Sequence, residues 1–302
     1  YIGTDNEIVY IRVEDNITGC YDTTTQLIRV TQGPIAITPQ ALHYCDPNND
    51  GFGFFDLEST RIEIMGGTAV AGVSVSYYET ETDALIGAAP SLISPYENIN
   101  PWTQTIYVRV FYTLTGCANY VQLQLIVDPT PEATEPDDYQ LCDYTGQVGY
   151  EAFDLTTTVP QILGAIDPLA VTVSFHASFV DAQNETAIIT GVTNYINQTQ
   201  WSQTLFVRVE FIATGCYDIV ELDLIVNPLP NATQPNYPQY TLCDYTGAIG
   251  FETFDLLSQV DPILLGQQGM TVTFYPSLAA AQAQLPGTSI NETHPDLQYD
   301  NQ

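Results

Sequence analysis

The chain has 302 residues, of which 45% are hydrophobic and 14% charged, so it can bury substantial cores and is not a disordered polyanion. It has 36 acidic residues against five basic ones, and the net charge of −31 repels phosphate backbones, which argues against nucleic acid as a partner. No run of about 18 apolar residues occurs, so we expect no membrane span in this segment.

The chain contains a repeat of about 100 residues. A 22-residue stretch, first written "VYIRVEDNITGCYDTTTQLIRV", occurs in three versions at residues 9–30, 106–127 and 205–226. A phrase that contains Cys-Asp and ends in "FDL" also occurs three times, at residues 44–57, 141–155 and 242–256. Each phrase therefore marks a fixed position in a repeated domain.

Proline-rich segments recur at the same position of each repeat and are predicted to be semi-stiff linkers between domains. We predict an incomplete repeat at 1–33 that consists of a C-terminal hairpin, complete repeats at 34–128 and 129–227, and the N-terminal part of another repeat at 228–302. Because the outer parts are incomplete, we expect a segment of a longer array, or a subunit whose ends complete one another.

Each 22-residue stretch predicts a β-hairpin. In "IYVRV", the residues Ile106, Val108 and Val110 fall on one face, and Tyr107 and Arg109 on the other. A glycine-containing turn, "TLTGC", follows, and "VQLQLIV" then alternates again. Short strands separated by turns predict an all-β fold, a tandem array of immunoglobulin-like antiparallel β-sandwich domains of about 100 residues.

The six cysteines occupy two repeated positions, "TGC" (Cys20, Cys117, Cys216) and "CD" (Cys45, Cys142, Cys243). This placement in a lysine-free acidic chain predicts disulfides formed outside the cytoplasm. One pairing is Cys45–Cys117 and Cys142–Cys216 within domains, with Cys20 and Cys243 pairing outside the segment or between copies. The other is Cys20–Cys45, Cys117–Cys142 and Cys216–Cys243 across linkers. The first is preferred, because about ten residues of strand, roughly 30 Å, separate each "TGC" from its linker.

The stretch "DPNNDG" at residues 46–51 matches the start of a calcium-binding loop. Asp46, Asn48 and Asp50 would direct oxygens to one centre, Asp56 stands beside the expected terminal ligand, and Gly51 permits the sharp turn. Calcium is therefore a candidate cofactor at Asp46, Asn48, Asp50 and Asp56, with an Asn/Asp-rich turn as the alternative.

Other aspartates of the repeat predict local structure. The "DYTG" loops lack the middle carboxylates, so Asp143 and Asp244 are expected to fix the turn. In the repeated "FDL", Asp56, Asp154 and Asp255 are expected to cap a following helical turn rather than to bind a metal.

Few side chains point to catalysis. His43, His176 and His294 occupy unrelated phases of the repeat, and no known catalytic motif occurs, so we do not expect an enzyme. Arg208 is expected to pair with a carboxylate of a neighbouring strand, such as Asp223 or Glu221. Trp102 and Trp201 are expected to pack at a sheet edge.

The set "CDPNNDGFGFFDL", "SVSYYET", "QTIYVRV", "TGC" and "LIVDPTP" resembles repeats in giant surface adhesins of Bacteroidota. These include the gliding-motility adhesins of the SprB type and related proteins exported by the type IX secretion system. The resemblance implies a structural stalk segment of an extracellular, cell-surface filament that mediates attachment or gliding. Its partners would be neighbouring repeats and an unknown surface ligand. The alternative is a polymerising extracellular fibre or pilus subunit, whose hairpin at residues 1–30 completes residues 228–302 of the neighbouring copy.

Overall fold

The computed structural model describes residues 1–87, 90–232, 240–244, 249–284, 286–293 and 297–300; His294 and part of the third "DYTG" loop, residues 245–248, lie outside these ranges. The chain divides into two compact units. The first consists of Tyr1–Tyr139, Phe153–Tyr195 and Gln203–Leu224, and the second of Gln140–Ala152, Ile196–Ser202 and Ile225–Gln302.

The elements are short strands separated by loops and single helical turns. The strands are β1 (Glu7–Glu14), β2 (Tyr21–Ile28), β3 (Leu42–Asp46), β4 (Phe54–Phe55), β5 (Val73–Tyr78), β6 (Tyr96–Glu97), β7 (Thr103–Tyr112), β8 (Ala118–Pro129), β9 (Tyr139–Cys142), β10 (Ala152–Phe153), β11 (Val171–His176), β12 (Tyr195–Ile196), β13 (Ser202–Phe211), β14 (Tyr217–Asn227), β15 (Thr253–Asp255) and β16 (Gln298–Asp300). The helices are α1 (Arg61–Ile64), α2 (Glu81–Ile86), α3 (Val159–Leu163), α4 (Phe179–Asn184), α5 (Val260–Leu264), α6 (Leu278–Ala283) and α7 (Ile290–Thr293). Turns of 3₁₀ helix occur at Leu57–Thr60, Leu155–Thr157, Val192–Asn194 and Leu256–Gln259.

The first complete repeat is a β-sandwich. Its four-stranded sheet has the order β3-β8-β7-β5, and β4 pairs with β6 in a second, small sheet. The predicted alternation is confirmed, because Ile106, Val108 and Val110 of β7 are fully buried. They pack with Leu123 and Leu125 of β8 in one hydrophobic core. β3 differs from the antiparallel prediction, since it runs parallel to the end of β8.

The second complete repeat has the same strand order, β11-β13-β14-β9, with β10 paired to β12. Its buried apolar residues occupy the positions equivalent to the first core: Phe153, Leu155, Ile162, Val171, Phe175, Leu205, Val207, Val209, Leu222 and Leu224. The fold class predicted from the sequence, a tandem array of immunoglobulin-like β-sandwich domains of about 100 residues, is confirmed by the two sheets of each complete repeat.

The arginine of β13 differs from its prediction. Arg208 is buried and pairs with Glu210, two residues along the same strand, at 2.5 Å, rather than with Asp223 or Glu221. Its guanidinium also stacks over the Tyr217 ring at 3.3 Å from the centroid. Residues two apart in a strand share a face, so Glu210 competes successfully with carboxylates across the sheet.

Candidate functional site: the joint between two repeats

The structure joins the two complete repeats by a disulfide. Cys45 of the first repeat bonds to Cys216 of the second, with 5.4 Å between their Cα atoms and 171 residues between them in sequence. Neither predicted pairing occurs at these positions. Cys45 bonds to neither Cys117 nor Cys20, and Cys216 bonds to neither Cys142 nor Cys243.

The strand register explains why the pairing within one domain is wrong. Cys45 of β3 lies opposite Asp128, near the end of β8, whereas Cys117 immediately precedes the first residue of β8. Cys45 therefore lies beside one end of β8 and Cys117 at the other end, roughly 36 Å apart at about 3.3 Å per residue. A disulfide spans only a few ångströms, so each cysteine needs a partner from another repeat.

The hairpin that carries Cys216 has a local geometry set by its sequence. Gly215 adopts a left-handed conformation at φ 75°, which favours glycine. The Phe211 N–H donates to the Cys216 carbonyl at 2.8 Å, and the Gly215 N–H donates to the Phe211 carbonyl at 2.8 Å. This closed turn presents Cys216, which is fully buried, at the tip of the hairpin toward the preceding repeat.

A second contact supports the disulfide, and it involves Asn49 in the loop after β3. The Thr130 N–H donates to Asn49 Oδ1 at 2.9 Å, and Asn49 Nδ2 donates to the Thr130 carbonyl at 3.1 Å and to Glu132 Oε1 at 3.2 Å. The Thr130 hydroxyl donates to the Asp46 carbonyl at 2.9 Å. We call the Cys45–Cys216 disulfide, loop 46–51 and linker 128–132 the joint.

The predicted calcium ligands are brought together only in part. Asp46 is fully buried, and its carboxylate accepts from the Asn48 N–H at 3.2 Å and the Gly51 N–H at 2.7 Å. Asn48 Nδ2 donates to Asp50 Oδ2 at 2.7 Å, so this amide presents nitrogen rather than oxygen to the carboxylate. Asp56 is engaged elsewhere, since it accepts from the Glu58 N–H and the Ser94 hydroxyl.

No group of three or more His, Cys, Asp or Glu side chains suited to hold a metal ion is found among the residues that the structure describes. The loop therefore has the geometry of an aspartate-closed turn, and calcium at Asp46, Asn48, Asp50 and Asp56 stays a prediction.

The same aspartate closes the loop in all three repeats. The Gly149 N–H donates to Asp143 Oδ2 at 3.2 Å, and the Gly250 N–H donates to Asp244 Oδ2 at 3.0 Å. The other Asp143 oxygen is buried and has no hydrogen-bond partner. The prediction that these aspartates fix the turn is confirmed.

The "FDL" aspartates cap helical turns, as predicted. The Glu58, Thr156 and Leu257 N–H groups donate to Asp56, Asp154 and Asp255, respectively, at 3.1–3.2 Å.

The sequence reasoning missed a buried asparagine that holds the loop. In the first repeat, Asn98 accepts from the Gly53 N–H at 2.7 Å and donates to the carbonyls of Gly51 at 2.9 Å and Asn100 at 2.7 Å. The equivalent Asn197 makes the same three kinds of bond to the loop and backbone of its repeat. Both residues stand four positions before a tryptophan in the sequence, and that repeated spacing is the signal that could have found them.

The tryptophans explain why each loop ends in glycine. A Cβ atom at Gly51 would lie 2.9 Å from Pro101 Cβ and 3.1 Å from Trp102 Cε2. In the second repeat, a Cβ atom at Gly149 would lie 3.0 Å from Trp201 Cδ2. Each tryptophan ring therefore lies beside the loop that follows the "CD" cysteine, and packing of the two rings at a sheet edge stays a prediction.

The other four cysteines are free. Cys20, Cys142 and Cys243 are exposed, and Cys117 is partly exposed. Cys117 Sγ lies 2.8 Å from Thr31 Oγ1. Hydrogen bonds from the hydroxyls of Thr31 and Thr115 lower the pKa of the Cys117 thiol below its ordinary value.

Sequence comparison identifies the repeat. A family described as the Flavobacterium inter-domain disulphide bond domain matches residues 41–131 and 138–230, which correspond to the two complete repeats. No curated protein matches the chain in sequence.

Solved structures show only distant likeness. Extracellular domains 3–5 of Drosophila OTK are 7% identical, with 70% of this chain and 68% of that chain covered and a TM-score of 0.27. The I-band fragment I67–I69 of titin is 9% identical, with 70% and 71% covered and a TM-score of 0.24. The human desmocollin-1 ectodomain is 9% identical, with 74% and 47% covered and a TM-score of 0.19. Likeness at these TM-scores carries no argument about function.

Within the described ranges, no helix has the length and apolar character that a membrane crossing requires.

Proposed function

Because the chain belongs to the Flavobacterium inter-domain disulphide bond domain family, we propose that it is a structural stalk segment of an extracellular filament. The observation that carries the proposal is the Cys45–Cys216 disulfide, which joins consecutive β-sandwiches covalently. Such a bond contributes nothing to substrate chemistry, but it prevents two domains from separating.

The joint supports a mechanical role. The disulfide encloses most of both repeats, so while the bond is intact their unfolding can lengthen the chain only by the residues outside 45–216. The hydrogen bonds of Asn49 to Thr130 and Glu132 hold the linker against loop 46–51. Hydrogen bonds of this kind oppose rotation of the polypeptide at the linker. A stalk stays extended only when such rotation is restricted.

The presence of a disulfide supports the extracellular assignment. Structural disulfides form and persist in secreted and surface proteins, whereas cytosolic thiols are kept reduced. The net charge of −31 adds mutual repulsion between neighbouring stalks. We propose that the partners are neighbouring repeats, together with a surface ligand bound elsewhere, and that the protein is structural rather than enzymatic.

The finer assignment is an adhesin of the SprB type, exported by the type IX system and used in surface attachment or gliding. The support is the shared set of sequence landmarks and the family of Flavobacterium repeats to which the chain belongs. A polymerising fibre subunit, whose hairpin at residues 1–30 completes residues 228–302 of the neighbouring copy, is the second candidate.

Surface location and size test the proposal. We expect antibodies against this chain to label filaments on intact cells, and the reduced native polypeptide to migrate far above 33.3 kDa, because a stalk is built from many such repeats. Labelling that requires permeabilised cells would contradict the stalk. A band near 33.3 kDa on labelled cells would favour the fibre subunit instead.

Calcium at loop 46–51 is tested by titration. We expect Ca²⁺ to raise the thermal unfolding temperature of the chain, since Asp46 and Asp50 would share the cation and the Asn48 amide would rotate to offer oxygen. Asp50→Asn is expected to abolish the rise, whereas Asp143→Asn, in a loop that lacks the middle carboxylates, leaves it intact. An equal rise in both variants would show that calcium acts elsewhere.

A further inference from the structure

We propose that the first complete repeat carries a binding site for one neutral sugar unit, on the outer face of its four-stranded sheet. A cavity of about 140 Å³ lies there, between helix α2 and strands β7 and β8. We call it the outer pocket; its lining consists of Glu81, Ala84, Tyr107, Tyr120, Val121 and Gln122. The site is separate from the surface ligand of the proposed stalk, and it does not depend on the stalk function.

The strand register places the aromatic and polar groups of the outer pocket together. Tyr107 of β7 lies opposite Gln122 of β8, and Tyr120 of β8 lies opposite Arg109 of β7. Residues opposite each other in an antiparallel pair share a face of the sheet, as do residues two apart in one strand. Two phenol rings and one amide therefore stand side by side on the face away from the hydrophobic core.

The Tyr120 ring is fixed in its orientation before any ligand binds. Arg109 Nη1 donates to the Tyr120 hydroxyl at 3.0 Å and to the Leu85 carbonyl at 2.9 Å. The Tyr120 hydroxyl donates to the same Leu85 carbonyl at 3.1 Å. Although its hydroxyl is held in this way, Tyr120 is 38% exposed. A ring that is already ordered loses little conformational entropy when a ligand packs on it.

Three polar side chains of the outer pocket remain available to a ligand. The Glu81 carboxylate, the Tyr107 hydroxyl and the Gln122 amide form no hydrogen bond or ion pair with other residues that the structure describes. The carboxylate accepts hydrogen bonds, whereas the hydroxyl and the amide both donate and accept them. A sugar ring has an apolar C–H face and a rim of hydroxyl groups, so aromatic rings beside such polar groups match its chemistry.

The second repeat has apolar side chains at three of these positions. Phe179 follows the N-cap of α4 as Glu81 follows that of α2, and Phe206 and Ile219 occupy the positions of Tyr107 and Tyr120. Phe179 packs edge-on against Phe206, with 5.8 Å between their ring centroids. The same sheet and helix therefore form without the carboxylate and the two hydroxyls, so the fold does not require them in the first repeat.

Charge and size define the class of sugar. The two terminal nitrogens of Arg109 already donate to the carbonyls of Ala84, Leu85 and Gly116, and Glu81 adds a negative charge to a chain of net charge −31. Sulfated, phosphorylated and uronic sugars are therefore repelled, whereas neutral sugars are not. Pockets for drug-sized ligands measure about 300–1,000 Å³, so a cavity of about 140 Å³ accommodates a single sugar unit.

Saturation-transfer difference NMR on the oxidised 302-residue chain tests the outer pocket. The probes are the methyl glycosides of glucose, galactose, mannose and xylose, with methyl glucuronide as the acidic comparison. We expect a neutral glycoside to receive saturation on the C–H protons of one ring face, and the glucuronide to receive none. Glu81→Phe is expected to abolish the signal, because the new ring fills the pocket as Phe179 does in the second repeat. Tyr120→Ala is expected to weaken binding about tenfold, and Tyr120→Phe, which keeps the ring, to retain it.

Ile219→Ala is the matched control, because it changes the position equivalent to Tyr120 in the second repeat, and it should leave the signal unchanged. Formation of the Cys45–Cys216 bond in each variant reports that the chain has folded. The proposal is wrong if no neutral glycoside receives saturation, if the glucuronide binds as well as the neutral sugars, or if folded Glu81→Phe binds like the parent. Such a failure would leave the stalk function standing, since surface labelling and chain size test that function independently.

Discussion

Stretched from its two ends, the oxidised chain is expected to be shorter by about 600 Å than the Cys45→Ser, Cys216→Ser double variant after all domains have unfolded. The bond bridges a sequence separation of 171 residues. A fully extended chain spans about 3.5 Å per residue, so the loop hidden behind the bond accounts for the difference. Single-molecule force spectroscopy measures this length directly, and a reducing agent should convert the first trace into the second.

Cys117→Ser is the matched control for this experiment. It changes the same residue type at the equivalent hairpin position, but Cys117 is free in this chain, so the extended length should stay that of the parent. If the parent chain reached the length of the double variant under oxidising conditions, the two repeats would not be joined by a disulfide. The proposed stalk function would then lose the observation on which it rests.

Asn98→Ala is expected to lower the free energy of unfolding of the first repeat by about 2 kcal/mol. The side chain is 2% exposed and accepts from the N–H of the buried Gly53, whereas the Gly51 carbonyl also accepts from the Trp102 N–H and Asn100 is exposed. The one buried backbone group left without a partner, the Gly53 N–H, costs about 1–3 kcal/mol. Guanidinium unfolding followed by Trp102 fluorescence checks the value, with Trp201→Phe in every variant so that only the first repeat is observed.

Asn100→Ala is the control two positions away. The Asn100 side chain is exposed, and the bond to Asn98 uses only its backbone carbonyl, so the free energy of unfolding should change by about 0.5 kcal/mol or less. Equal losses in both variants would mean that the Asn98 bonds do not hold the loop. Asn197→Ala in the second repeat, observed through Trp201 in a Trp102→Phe background, should repeat the result of Asn98→Ala.

Much of each repeat could be predicted because its determinants are close together in the chain. The alternation of Ile106, Val108 and Val110 needs only the period of a strand. The Asp46 carboxylate accepts from the Gly51 N–H five residues later, and the Asp56 carboxylate accepts from the Glu58 N–H two residues later. Helices α2, α4 and α6 were not predicted, although Thr80, Ser178 and Ser277 stand at their N-caps and accept from backbone N–H groups three residues later.

The disulfide partner of a cysteine, by contrast, could not be predicted from nearby residues. Sequence spacing favoured Cys45–Cys117. The parallel pairing of β3 with the end of β8 instead places Cys45 beside the last residues of β8, whereas Cys117 precedes its first residue. No local pattern distinguishes a parallel neighbour from an antiparallel one, because both satisfy the same alternation of apolar residues.

The sequence by itself determined the repeat, the sandwich strands, the turn chemistry and the equivalence of the cysteines, since these depend on residues within one hairpin or loop. Only the tertiary structure decided which contacts cross between distant segments. Cys45 meets Cys216 across 171 residues, Asn49 holds Thr130 across 81, and Asn98 reaches Gly53 across 45. Such contacts depend on where whole domains and strands are placed, and that placement is a property of packing and register rather than of any single stretch of residues.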